Sequence, residues 1–231
     1  MKQLVFIGML VYLSSSITLA QDFCKGDFNY NGSVAAEDVE LFLEHFGRNE
    51  FNNPCPSDGP TPPPKTGQTT SYATGDDGDL EKGVALVKPR FTDNLDGTVT
   101  DNQTGPIWLK NANCFGFRRW NLAIADSNGL ASGSCGLTDG SNSGDWRLPN
   151  KRELISLTHD GYYEPTLSNT AGTAQWSEGD TFTSVQSSQY WSSTGFATSS
   201  DYAWSVNMRS GYVLSYDKYS SLYVWPVRGG H

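Results

Sequence analysis

The chain of 231 residues carries 25 acidic against 16 basic side chains, a net charge of −9 at pH 7. That balance weighs against nucleic acid and anionic membrane surfaces as partners, because either calls for a basic patch. Gly, Ser, Asn and aromatic residues are plentiful while aliphatic periodicity is thin, so loop-rich β structure is expected.

Lys2 precedes an apolar run from Leu4 to Leu13, then Ser14-Ser15-Ser16 and Thr18-Leu19-Ala20. The pattern predicts a signal peptide over residues 1–20, cleaved after Ala20, and hence a secreted or cell-surface protein. The run is short for a membrane span, and no later stretch reaches the length one requires. Cys24 and Cys55 bracket one small segment, whereas Cys114 and Cys135 fall inside a larger one. Four cysteines allow three pairings; an oxidising compartment and local pairing favour disulfides 24–55 and 114–135.

Residues 22–56 read as a small calcium module. Asp27, Asn29 and Asn31 place side-chain oxygens at the first, third and fifth positions of a loop, and Gly32 sits at the sixth. Ser33 offers its carbonyl and Asp38 closes the site at the twelfth position. A helix should follow, with Val39, Leu41, Phe42, Leu43 and Phe46 on its buried side and Gly47 as its stop. The unit resembles one half of a dockerin, which implies calcium as cofactor and a cohesin-like partner, although a dockerin carries two such repeats and one is found here. Without metal, an Asn-Gly turn ahead of an amphipathic helix accounts for the same residues. Cys24 and Cys55 would staple a unit too small to be stable on its core alone.

Residues 57–69 are rich in Pro and Thr and predict a semi-rigid spacer. Beyond it, Thr74 to Asp79 reads as a turn or solvated acidic loop. Asp96-Gly97 and Asn102-Gln103-Thr104-Gly105 predict turns linking Arg90-Phe91-Thr92, Thr98-Val99-Thr100 and Ile107-Trp108-Leu109. Asp93, Asp96 and Asp101 suit Asx turns better than a cation site. A helix is expected over Trp120–Leu130, from Trp120, Ala123, Ile124 and Leu130. A second should start at Asn150, where Asn150 and Glu153 form a capping-box pattern and Leu154, Ile155 and Leu157 supply an apolar side. Asp139, Asn142 and Asp145 are oxygen ligands in type, but no Glu-Pro-Asn or Gln-Pro-Asp signature accompanies them. Towards the end, Tyr202, Trp204, Val206 and Met208 alternate, and Gly211–Asp217 and Leu222–Arg228 read as strands joined around Lys218-Tyr219-Ser220-Ser221.

Several of these segments together resemble one family. Arg90-Phe91-Thr92-Asp93-Asn94, Asp96 to Asp101, Thr104 to Lys110, Gly144 to Leu157, Tyr190-Trp191-Ser192-Ser193-Thr194 and Val224 to Gly230 are similar in order and spacing to the C-terminal domain of Lcl-type, collagen-like adhesins. The resemblance implies that residues 70–231 form an α+β, C-type-lectin-like domain of short antiparallel strands with two helices, used for extracellular binding of a glycan or protein. It also implies a distant kinship with formylglycine-generating enzymes, whose chemistry needs a reactive or copper-binding cysteine pair. In relatives diversified by retroelements the terminal segment varies. Tyr212, Leu214, Ser215, Tyr216, Asp217, Tyr219, Ser221 and Trp225 are therefore the expected ligand contacts, since rigid aromatic rings and small polar groups suit recognition. The same aromatics could instead fill a β-rich core. A non-enzymatic binding protein is the leading expectation, with a formylglycine-generating-like oxidase and an assembly component docked through the half-dockerin as the alternatives.

Overall fold

A computed structural model describes residues 63–229. The expected signal peptide, the expected calcium loop and helix, Cys24 and Cys55 lie outside these residues. The described part is a β-rich α+β unit. In chain order it contains α1 (Asp77–Leu80), β1 (Phe91–Asp93), β2 (Thr98–Asp101), β3 (Ile107–Leu109), β4 (Phe117–Arg118), α2 (Trp120–Gly129) and α3 (Lys151–Ser156). Five further strands complete it: β5 (Gln189–Phe196), β6 (Ser199–Asn207), β7 (Val213–Asp217), β8 (Leu222–Tyr223) and β9 (Val227–Arg228). They form a four-stranded sheet in the order β1-β2-β3-β9 and a five-stranded sheet in the order β4-β8-β5-β6-β7.

The first sheet is built by the two turns that the sequence predicts. Asp93 accepts from the Leu95 amide at 3.0 Å, Asp96 from the Thr98 amide at 3.0 Å, and Asp101 from the Gln103 amide at 2.8 Å, so all three carboxylates close Asx turns. Gly97 has φ +86°, and a Cβ there would lie 2.3 Å from the Gly136 carbonyl oxygen. Only glycine lets this turn lie against the loop that Cys135 anchors. Asp101 also pairs with Arg90, and both side chains are almost wholly buried.

Two clusters of apolar side chains hold the unit together. The larger joins Phe91, Val99, Trp108 and Val227 of the first sheet to Tyr190 and Val206 of the second and to Met208 just past β6, so it lies between the sheets. The smaller packs Ala123 of α2 and Leu148 against Trp191, Ala203, Leu222 and Val224, on the opposite face of the second sheet. Cys114 and Cys135 are joined in a disulfide, as expected, and both pack at the margin of the larger cluster.

Both helices expected within the described residues, at Trp120 and after Asn150, are present. Asn150 accepts from the amides of Arg152 and Glu153 at 2.8 and 3.0 Å, while Glu153 accepts from the Asn150 amide at 2.7 Å, which completes the capping box. Leu154 and Leu157 are buried, but Ile155 is 37 % exposed and leaves the apolar side. The acidic stretch after the spacer differs from the expected loop, because Asp76 accepts from the amides of Tyr72, Ala73 and Asp79 and winds Asp77–Leu80 into one helical turn. Lys65 and Thr66, at the end of the expected spacer, are tied to the unit by hydrogen bonds from the Lys65 amide to the Val84 carbonyl and from the Asp160 amide to the Thr66 carbonyl, each 2.9 Å.

Candidate ligand-binding surface

Strand β7 forms an edge of the five-stranded sheet. The Asn207 amide donates to the Tyr212 carbonyl and the Lys218 amide to the Asp201 carbonyl, both at 2.8 Å. The antiparallel register between them pairs Ser205 with Leu214 and Ala203 with Tyr216. Hydrogen bonding alternates along such a pair, so the even-numbered residues of β7 bond to β6, and Val213, Ser215 and Asp217 turn their backbone groups outwards.

Period-two alternation also splits the expected contact residues between faces. Tyr212, Leu214 and Tyr216 share the face on which α2 packs. Tyr216 is half-buried against the smaller cluster, while Tyr212 and Leu214 are 68 % and 44 % exposed. Ser215 and Asp217 lie on the other face, both half-buried. Tyr219 stands in the turn after β7, 74 % exposed, and Ser221 beside it is exposed as well.

Trp225 must be moved from the contact set to the core. It is fully buried, its Nε1 donates to the Leu109 carbonyl at 2.8 Å, and its ring meets Phe182 and Trp108 edge-on at 4.8 and 5.6 Å. The chain leaves the five-stranded sheet after β8 and enters the four-stranded sheet at β9, so Val224 to Val227 pass between the two clusters and are buried on every side. Alternation fails where a chain changes sheets.

The turn that carries Tyr219 is fixed at several points. The Tyr219 amide donates to Asp217 Oδ1 at 2.8 Å, the Trp120 amide to the Lys218 carbonyl at 3.1 Å, and Lys218 Nζ to the Ser200 carbonyl at 2.6 Å. Lys218 Nζ also lies 4.0 Å from the centre of the Trp120 ring. These bonds bring the first turn of α2, the start of β6 and the β7–β8 turn around a cavity of about 370 Å³, lined by Arg119, Trp120, Asn121, Leu122, Asp201, Lys218 and Tyr219. Apart from Tyr219, the residues of this cavity escape sequence reading, since Arg119, Asp201 and Lys218 stand far apart in the chain and meet only through the pairing of β6 with β7 and the docking of α2 on the turn after β7.

A second cavity, of about 430 Å³, lies where Pro63–Thr66 cross α3. Two of its charged groups are already engaged: Arg90 on Asp101 and the Ser156 carbonyl, and Lys65 on Glu81 at 2.9 Å. Burial draws the Arg90 guanidinium below its ordinary value against the opposing pull of Asp101.

Two of the three loop residues with ligand-type oxygens, Asp139 and Asp145, are engaged within the fold. Asp139 accepts from Ser141 Oγ at 2.8 Å and lies 3.2 Å from the Arg228 guanidinium, and Asp145 accepts from the Asn142 amide at 2.7 Å. Among the described residues no cluster of three or more His, Cys, Asp or Glu side chains could hold a metal ion, and no helix is long and apolar enough to cross a membrane. Asp27, Asn29, Asn31, Ser33 and Asp38 fall outside the described residues.

No curated protein matches the chain. A family model described as the Lcl C-terminal domain matches residues 97–228, from the β1–β2 turn to the end of β9.

Proposed function

Since the chain belongs to the Lcl C-terminal domain family, we propose that it is an exported, non-enzymatic binding protein that recognises an extracellular glycan or protein. Recognition takes place on the β7 edge and the turn that follows it, within a C-type-lectin-like domain. The observation that carries this reading is the exposure of Tyr212, Leu214 and Tyr219 on a backbone tied down by hydrogen bonds. Large side chains held on fixed backbone lose little conformational entropy when a ligand covers them, so their apolar area turns more fully into affinity. The disulfide between Cys114 and Cys135 engages both sulfurs, which favours binding over oxidase chemistry that needs a reactive thiol.

Calcium belongs to this proposal as a folding device for the N-terminal module, held by Asp27, Asn29, Asn31, the Ser33 carbonyl and Asp38. That part rests on the ligand spacing in the sequence. A cohesin-like partner for the module is carried only by its likeness to half a dockerin.

The test is capture of glycans and extracellular proteins on arrays by the mature protein, beside a variant with Tyr212, Leu214 and Tyr219 all changed to Ala. Binding should fall at least roughly tenfold in the variant, as expected when the aromatic anchors of an interface are removed. Undiminished binding by the triple variant would place the ligand elsewhere and sink the assignment to β7.

A further inference from the structure

Resting on the binding role proposed above, we infer that the cavity between α2 and the β7–β8 turn is a metal-free subsite for an uncharged sugar ring. The charges in the cavity carry the inference. Arg119 and Asp201 both line it, yet among the described residues neither makes an ion pair; Asp201 accepts only a long contact of 3.5 Å from Ser200 Oγ. The Lys218 ammonium keeps its charge but is turned to the Ser200 carbonyl and the Trp120 ring. An anion brought to Arg119 meets the Asp201 carboxylate in the same cavity, and a cation brought to Asp201 meets Arg119. Hydroxyl groups escape this conflict because each can donate to Asp201 and accept from Arg119 or the Asn121 amide.

The apolar part of the site points the same way. Tyr219 offers an exposed ring on backbone held by the Asp217 Asx turn, with the Arg119 guanidinium 5.8 Å from the ring centre, and Leu122, 47 % exposed, lines the same cavity. A pyranose matches these surfaces, since its axial C–H groups form an apolar patch that stacks on an aromatic ring while its equatorial hydroxyls reach the rim. The volume of about 370 Å³ holds one or two such rings. The residues lining the cavity include no cluster of carboxylates, so hydroxyl recognition here calls on hydrogen bonds and no cation.

The experiment is a glycan array carrying neutral, uronate-bearing and sulfate-bearing glycans, probed with the full mature protein in calcium and again in EDTA. Tyr219→Ala and Asp201→Asn serve as test variants, Tyr212→Ala separates the subsite from the rest of the proposed surface, and Tyr72→Ala, at an exposed residue outside both, is the control; all are checked for intact thermal unfolding. Neutral glycans should be bound equally in calcium and EDTA, with signals at least tenfold lower in both test variants and within twofold of the parent in the control. The subsite is overturned if only acidic glycans are bound, if EDTA abolishes neutral binding while the domain stays folded, or if neither test variant changes it. Protein capture lost in Tyr212→Ala but kept in Tyr219→Ala overturns the sugar subsite while sparing the broader binding role. Loss of neither kind of capture in the triple alanine variant defeats the assignment of binding to β7 as well.

Discussion

Asp101 ends β2 with a side chain that solvent does not reach, and it is committed twice. It pairs with the buried Arg90 guanidinium, and it accepts from the Gln103 amide and from Thr104 Oγ1 at 2.7 Å. Removing one partner of such a pair strands a buried charge, so Asp101→Ala should cost about 3–5 kcal/mol by urea denaturation. An apolar double variant, Arg90→Met with Asp101→Leu, should recover part of that loss but not all, because the turn amides stay without an acceptor. Recovery of the full stability would show that the turn bonds contribute nothing. His159 makes a different prediction. Its Nδ1 accepts from the Gly161 amide at 3.2 Å, its ring stacks on Tyr162 at 4.1 Å, and Gly67, with φ +90°, approaches so closely that a Cβ would lie 2.3 Å from the imidazole. Burial holds the imidazole below its ordinary pKa. The unfolded chain then binds the proton more readily, so stability is full above a pH of about 6.5 and falls as pH drops through that value. Asp160 beside it is raised by burial and acts in the opposite sense at lower pH, on approach to the ordinary carboxylate range. Denaturation midpoints between pH of about 7.5 and 5 should therefore decline in the parent and flatten in His159→Gln; equal slopes would exclude His159 as the cause.

At the scale of elements, α3 has only six residues and cannot persist on its own hydrogen bonds. It is held by its cap, by the buried Leu154, by the Lys151 amide donating to Thr194 Oγ1 at 3.0 Å, and by Arg147 gripping Glu153 with both guanidinium nitrogens at 2.6 and 2.8 Å. The pairing with Glu153 also raises the Arg147 pKa. Asn150→Ala removes both cap bonds and should lower stability by about 1 kcal/mol, read as a shift in the denaturation midpoint, whereas Asn150→Asp should be nearly neutral. A loss well above that in Asn150→Ala would mean that the corner as a whole opens. This corner was legible in the sequence because a capping box is local: three residues and one turn of helix contain all its partners. The Asx turns at Asp96 and Asp101 and the start of α2 were legible for the same reason. Trp225 was not, since its burial depends on the chain passing from one sheet to the other, and nothing within a few residues of it records that step. The cavity beside Tyr219 was hidden likewise, because Arg119, Asp201 and Tyr219 meet only through the register of β6 with β7 and the docking of α2.

At the scale of the whole molecule, a domain whose core is closed by two sheets and a disulfide is preceded in the sequence by the segment proposed to fold around calcium. If calcium folds that segment, chelation should act on it alone. Calorimetry of the mature protein should show a transition lowered by EDTA and restored by calcium, through binding to the folded form, while the unfolding of the β-rich domain stays in place. A single transition that EDTA leaves untouched would remove calcium from the account. The net charge of −9 bears on the ligand in a related way. A polyanion would have to be drawn to an acidic molecule by local cations, so its binding would rest on charge attraction that salt screens. An uncharged sugar held by Tyr219, Asn121, Arg119 and Asp201 relies instead on stacking and short-range hydrogen bonds, which a shorter Debye length hardly touches. Affinity for a neutral glycan should therefore change less than roughly twofold between about 0.05 and 0.5 M NaCl. A steep decline across that range would mean that Arg119 and Lys218 act as a charge trap, and that the carboxylate of Asp201 does not take part in recognition.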